Sequence, residues 1–194
     1  MKKIITIALL LCAIITSNAQ SWHQVGFKIS TSFPLNHEYS TQGDFLAGLF
    51  NADFGVYFRA GKIIYGEVGI GYGFYKCDFN GFYADGTEYK TERVELRHLQ
   101  IPIKAVADIK LTHTIRLMPF AGIIYQPLLK VTDNPIGMDK NTLTCHPILG
   151  TAGLDFKLGP IVLGVNYRYS FSNFFQNKEG EHPQYINICA GFQF

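Results

Sequence analysis

The sequence predicts an all-β protein, an eight-stranded antiparallel up-and-down transmembrane β-barrel. Three observations predict it. The stretch Tyr185–Phe194 alternates strictly, with Ile186, Ile188, Ala190, Phe192 and Phe194 on one face and Tyr185, Asn187, Cys189, Gly191 and Gln193 on the other. Period two with an apolar side and a small or polar side marks a strand between two different solvents. Similar runs recur along the chain, and their connections alternate between long and short. The 194 residues are 47% hydrophobic but only 16% charged, too little charge to solvate a whole exterior.

The first residues read as a secretory signal, giving a division into a signal peptide at 1–19 and a barrel domain at 20–194. Lys2 and Lys3 form the charged region, Ile4–Ile15 the apolar region, and Ser17-Asn18-Ala19 a small-residue cleavage site before Gln20. The apolar run is shorter than the ~20 residues of a spanning helix. Leu11 before Cys12 argues against a lipoprotein site. Without Lys2 and Lys3, 15 basic residues face 15 acidic ones. Nucleic-acid binding, which wants a basic surplus, is not expected. Cys77, Cys145 and Cys189 survive cleavage, an odd number. A Cys77–Cys145 disulfide is compatible with export but not selected by the sequence.

The expected strands run His23–Phe33, Leu46–Arg59, Ile63–Lys76, Val94–Asp108, Ile115–Thr132, Ile148–Leu158, Ile161–Ser172 and Tyr185–Phe194. Four long connections are expected at 34–45, 77–93, 133–147 and 173–184. Three short ones fall at Ala60-Gly61-Lys62, Ile109–Thr114 and Gly159-Pro160. With both termini on the short-turn side, this is the layout of a small outer-membrane barrel. The fourth strand is irregular: Leu99, Ile101, Ile103, Ala105 and Ala107 share the outward face, while Val94 and Leu96 have the opposite parity. A bulge near Arg97–His98 would bring them outward too. Pro102, Pro119 and Pro127 each forfeit a ladder hydrogen bond, and Pro127 has no explanation at this level.

The chain resembles the PorT-like family of outer-membrane barrels. The resemblance rests on the Asn18-Ala19-Gln20 signal end, on Leu99-Gln100-Ile101-Pro102-Ile103-Lys104, on Gly122-Ile123-Ile124-Tyr125, on Leu163–Tyr169, and on the final Phe194. It implies a barrel in the outer membrane of a Gram-negative cell. The namesake takes part in protein secretion, so secretion-system or envelope proteins become expected partners.

The inward parity collects Lys28, Asp53, Glu67, Gln100, Lys104, Asp155, Asn166 and Arg168. Eight strands leave an interior that side chains nearly fill, so Lys28, Asp53, Glu67, Lys104, Asp155 and Arg168 are expected to form a paired polar network. Glu67 with Lys104 is the first expected pair. Outward aromatics suggest two girdles: Tyr72, Phe74, Tyr125, Tyr169 and Phe171 at the long-loop end, and Phe58, Phe156, Phe192 and Phe194 at the other. Phe192 and Phe194 also fit a C-terminal insertion signal read by the barrel assembly machinery. Outer-membrane lipid and lipopolysaccharide are the remaining expected contacts. Phe82, Tyr83 and Tyr89 are expected to form a contact surface in the second long loop.

No catalytic residue, cofactor or metal is expected. His37, His98, His146 and His182 lie in or beside long loops near Cys77 and Cys145, but only Cys145-His146 has a tight ligand spacing. A lipid-modifying enzyme would nominate His98 with Glu95 or Ser170, and no nucleophile motif selects them. A soluble lipocalin-like binder would also have eight strands. It would turn its apolar face inward.

Overall fold

A computed structural model describes residues 23–35, 51–82, 88–132, 143–174 and 182–194, with backbone only at 77–82 and 88–93. The expected signal peptide lies outside them. Ten strands build a single antiparallel sheet: β1 (His23–Pro34), β2 (Ala52–Gly61), β3 (Ile64–Phe82), β4 (Glu88–Ala107), β5 (Ile109–Lys110), β6 (Ile115–Tyr125), β7 (Leu128–Thr132), β8 (Ile148–Leu158), β9 (Ile161–Ser170) and β10 (Gln184–Gln193). β5 continues the stave of β4 and β7 continues that of β6, so the staves number eight. The sheet closes because β1 pairs with β10 as well as β2, and β4 pairs with β6. Reciprocal bonds between Val25 and Phe194 (3.0 and 2.8 Å) extend that seam to the last residue. The barrel is therefore closed, eight-stranded and antiparallel.

Prolines explain both divided staves. The β4–β6 ladder ends at Val106↔Phe120, and β5–β6 resumes at Ile109↔Leu117, so the gap lies beside Pro119, which has no N–H to give. Pro127 sits in the break between β6 and β7. There its carbonyl accepts from Leu99 N (3.0 Å), while Gln126 N reaches Pro147 O (3.0 Å). That answers the question the sequence left open. Pro102 interrupts the β3–β4 ladder, which skips from Val68↔Ile103 to Gly71↔Gln100 without changing register.

Several expectations are corrected. The turn after β2 is Lys62-Ile63, and Gly61 still belongs to the strand. The segment 77–93 is not a long loop. β3 and β4 continue as a hairpin, pairing as far as Phe82↔Glu88, with one register shift between Phe79 and Gly81. The expected bulge in the fourth strand is absent: β4 runs in constant register against β3 from Ile64↔Ala107 to Phe79↔Glu92. The irregularity at Arg97/His98 lies in the facing strand, where β7 carries the extra residue Leu129 between the partners of Arg97 and His98. Val94 and Leu96 consequently stay inward and fully buried. Their parity was right and the chemistry assumed for the interior was wrong.

The outward face is apolar on every stave. Ile29, Phe54, Val56, Val68, Ile70, Ile103, Ile123, Leu154, Leu163, Val165 and Ile188 are all exposed, Ile70 at 54%. Monomeric soluble proteins rarely expose apolar patches beyond a few hundred Å². This is the inverse of a lipocalin-like barrel. The strands β1, β2, β9 and β10 run 12, 10, 10 and 10 residues, close to the ~9–11 needed for a tilted crossing of a bilayer. The aromatics meet in pairs near both rims: Tyr169 with Phe171 (5.7 Å) and Tyr72 with Phe74 (6.2 Å) at the long-loop end, Phe27 with Phe192 (5.3 Å) at the other.

Candidate functional site: the filled lumen and its outer mouth

Alternation sends every second side chain of each strand inward, and the lumen holds two ion clusters. The first lies toward the short turns. Glu67 sits opposite Arg59 on β2 and Lys104 on β4 in the registers of those pairs. Its carboxylate takes Arg59 Nε at 2.6 Å and Lys104 Nζ at 2.9 Å. Asp155 takes Arg59 Nη2 at 3.0 Å and is also paired with Lys28. Arg59 Nη1 donates to Gln193 Oε1 at 2.9 Å. Arg59 and Asp155 are completely buried.

Three cations therefore face two carboxylates. Ring faces complement the surplus: Lys104 Nζ lies 4.8 Å and Lys28 Nζ 5.5 Å from the Phe120 centroid, and Arg59 stands 4.8 Å from that of Tyr57. Such contacts are worth up to about 2 kcal/mol when desolvated.

The second cluster is built around one carboxylate. Asp53 Oδ1 accepts from Gln100 Nε2 (2.6 Å) and Tyr75 OH (2.9 Å). Its Oδ2 accepts from Arg168 Nη1 (2.9 Å), Ser30 Oγ (3.2 Å), Ser32 Oγ (3.4 Å) and Asn187 Nδ2 (3.5 Å). Two backbone choices make room. Asp53 pairs in register with Gly73, where a Cβ would meet Gln100 Nε2 at 3.1 Å and the Tyr75 ring at 3.2 Å. At Gly164, opposite Asp155, a Cβ would lie 2.7 Å from Cys189 Sγ. A cavity of about 70 Å³ lies between the clusters, lined by Lys28, Asp53, Lys104 and Arg168 together with apolar side chains such as Phe120 and Ile124. By the ~10–15 Å³ that a water needs, it has room for a few waters only.

Apolar packing adjoins both. Tyr65, Val106, Met118, Phe120 and Val162 form one buried group beside the first cluster. Tyr75, Val94, Leu96, Leu128 and Leu143 form another toward the long-loop end. These apolar groups sit beside the ions at inward positions, so the filling is mixed rather than wholly polar.

All six residues expected in the lumen network point inward, and the structure divides them into Lys28, Glu67, Lys104 and Asp155 on one side and Asp53 and Arg168 on the other. Arg59 was missed, although its parity opposite outward Phe58 was a readable signal. Phe192 and Phe194 are exposed on the outer face near the seam. Phe82 and Tyr89 lie in the extended hairpin, and Tyr83 lies outside the described residues.

The histidines do not converge. Among the described residues no cluster of three metal-type ligands occurs. His98 packs edge-on to Tyr75 (5.4 Å), His146 stacks on Tyr125 (6.0 Å), and His182 stacks on Tyr169 (5.5 Å). His37 and the Cys77 side chain lie outside the described residues, so the Cys77–Cys145 pairing does too. Among the described residues, Ser170 and Glu95 have other partners than His98. Ser170 Oγ donates to Ser172 O (2.7 Å), and Glu95 takes Arg97 Nε (2.9 Å).

No protein-family model matches the chain, and no curated protein does. Among solved structures, it is similar to the N-terminal β-barrel domain of OprF from Pseudomonas aeruginosa, at 11% identity, covering 90% of this chain and 100% of that one, with a TM-score of 0.46. It is also similar to OprG from the same organism (9%, 90% and 96%, 0.46). A third similarity is to Ail, the attachment invasion locus protein of Yersinia pestis (12%, 90% and 100%, 0.43).

Proposed function

We propose that this chain is an integral outer-membrane protein that acts by presenting its long-loop end to envelope proteins, as its resemblance to PorT-like proteins implies. The observation that carries this reading is the inside-out arrangement of one sheet, with ions and glycines within and branched aliphatics on every outward face. Such an exterior suits hydrocarbon, and a filled lumen leaves no aqueous path, so diffusive transport is set aside. Action then falls to the ends. The β3–β4 hairpin supports this choice. Among the described residues it runs eight residues beyond Phe74, the last β3 residue paired with β2, a length of roughly 25 Å at ~3.3 Å per residue. Recognition by elements standing out from a rigid scaffold is common.

The proposal includes insertion through the assembly machinery with Phe192 and Phe194 as the signal, contact with lipid and lipopolysaccharide, and no enzymatic step. Fractionation tests the first part: the mature protein should need detergent for extraction and migrate differently on gels after heating. Recovery in the soluble fraction would overturn it. A photo-crosslinker replacing Tyr89 should capture a discrete protein in intact cells, while the same group replacing Ile70 should label lipid. Indistinguishable products from the two positions would refute a recognition role for the hairpin.

A further inference from the structure

The pairing registers place three bases in one line across three neighbouring strands at the short-turn mouth of the barrel. Lys110 on β5 stands opposite Arg116 on β6, and Arg116 stands opposite Lys157 on β8. Directly opposite residues share a face. Here it is the inner face, since Met118 and Asp155, two residues from Arg116 and Lys157 on the same strands, are buried in the lumen. Arg116 Nη1 donates to Asp108 Oδ2 at 2.6 Å. Among the described residues no ion pair reaches Lys110 or Lys157. Asp155, the next acid inward, is already shared by Lys28 and Arg59. The floor beneath the row is apolar: Lys157 is in register with the buried Val162, which packs with Tyr65, Val106 and Met118.

Like charges directly opposite one another destabilise a sheet, and this row holds two such pairs in succession. Three bases against the one carboxylate of Asp108 leave a surplus of two positive charges. The ion cluster below adds to it, with three cations for two carboxylates. Two negative charges on one compact group would offset the surplus. We propose that the row is a binding site for a phosphate dianion, free or at the end of a soluble monoester, entering from solution at the short turns. Such a group carries a charge of about −1.5 to −2 at neutral pH, with three strong acceptor oxygens for the three bases. Arg116, in the middle, gives one N–H to Asp108, and the rest of its fork suits phosphate oxygens. The row spans roughly 10 Å at ~4.8 Å between strands, and lysine heads on flexible stems can close on one central group. A single carboxylate would leave one charge uncompensated. A lipid diester also carries a single charge, and its face of the barrel is the outer one. This site is independent of the partner recognition proposed for the hairpin at the opposite end.

The test is equilibrium dialysis of radiolabelled inorganic phosphate against the full mature barrel in phosphatidylcholine nanodiscs, at fixed ionic strength. Glycerol phosphate, succinate and acetate serve as competitors. The expected result is saturable binding of one phosphate per barrel. Glycerol phosphate should displace it, and succinate and acetate should each be weaker competitors by about tenfold or more. Lys110→Gln, at the exposed rim, should weaken binding about tenfold, while Lys130→Gln, exposed toward the long loops, should leave it unchanged. Phosphatidic acid added to the nanodisc should not compete. Succinate matching phosphate would overturn the proposal in favour of an acidic peptide. Displacement by phosphatidic acid would overturn it in favour of a lipid. An equal loss in Lys130→Gln would reduce the binding to general surface charge. Absence of saturable binding would end the proposal outright, and that reading comes from the unmutated protein, so a variant that fails to fold does not rescue it.

Discussion

The two ion clusters solve one problem in different ways. Around Asp53, a single carboxylate is ringed by neutral donors from Ser30, Ser32, Tyr75, Gln100 and Asn187, with Arg168 as its one cation. Around Glu67 and Asp155, two carboxylates share three cations, and each touches two of them. The first design concentrates its dependence on one atom group. The second distributes it, with acids scarce and bases in surplus. Buried ions are costly unless paired, so the weak point of each cluster is its carboxylate.

That contrast orders the substitutions. Asp53→Ala should be worst, at about 3–5 kcal/mol, since it strands a buried Arg168. Urea unfolding in lipid vesicles measures it. A loss under about 1 kcal/mol would mean that the neutral donors, not the carboxylate, hold that region. Glu67→Gln comes next. It leaves three cations around Asp155 alone, and the same titration should show a loss of about 3 kcal/mol, the low end for a stranded charge. Lys104→Met should be mildest, near 1 kcal/mol, because Arg59 still holds Glu67 and the remaining charges balance two against two. Should Lys104→Met prove as damaging as Glu67→Gln, the surplus of bases would be no reserve and the contrast would fail. On the outer face, Ile70→Arg should cost about 2–4 kcal/mol if it lies near the bilayer midplane, and no comparable loss is expected where residue 70 meets water.

Charge patterning alone paired Glu67 with Lys104, because neighbouring strands of like parity must bring some acids to some bases. The lumen could not be divided into tiers that way. Which inward residues reach one another depends on strand tilt and stagger, and Arg59 bridges Glu67 and Asp155 from strands distant in sequence. Val94 and Leu96 show the same limit from the other side. Read locally, an apolar residue at an inward position looked like an error to be repaired by a bulge. In the closed barrel it has Leu128 and Leu143 to pack against, so no repair is needed.

Alternation, glycine placement, scarce charge and the rhythm of long and short connections are properties of the chain itself. They determined an antiparallel barrel of eight staves and the face each residue turns, because side-chain direction in a strand follows from position alone. Closure decided the rest. It set where the prolines break the ladders, how far β3 and β4 pair with each other, and which buried groups share Asp53 or Glu67. Those are distances across a lumen, and a linear pattern carries no distances between strands.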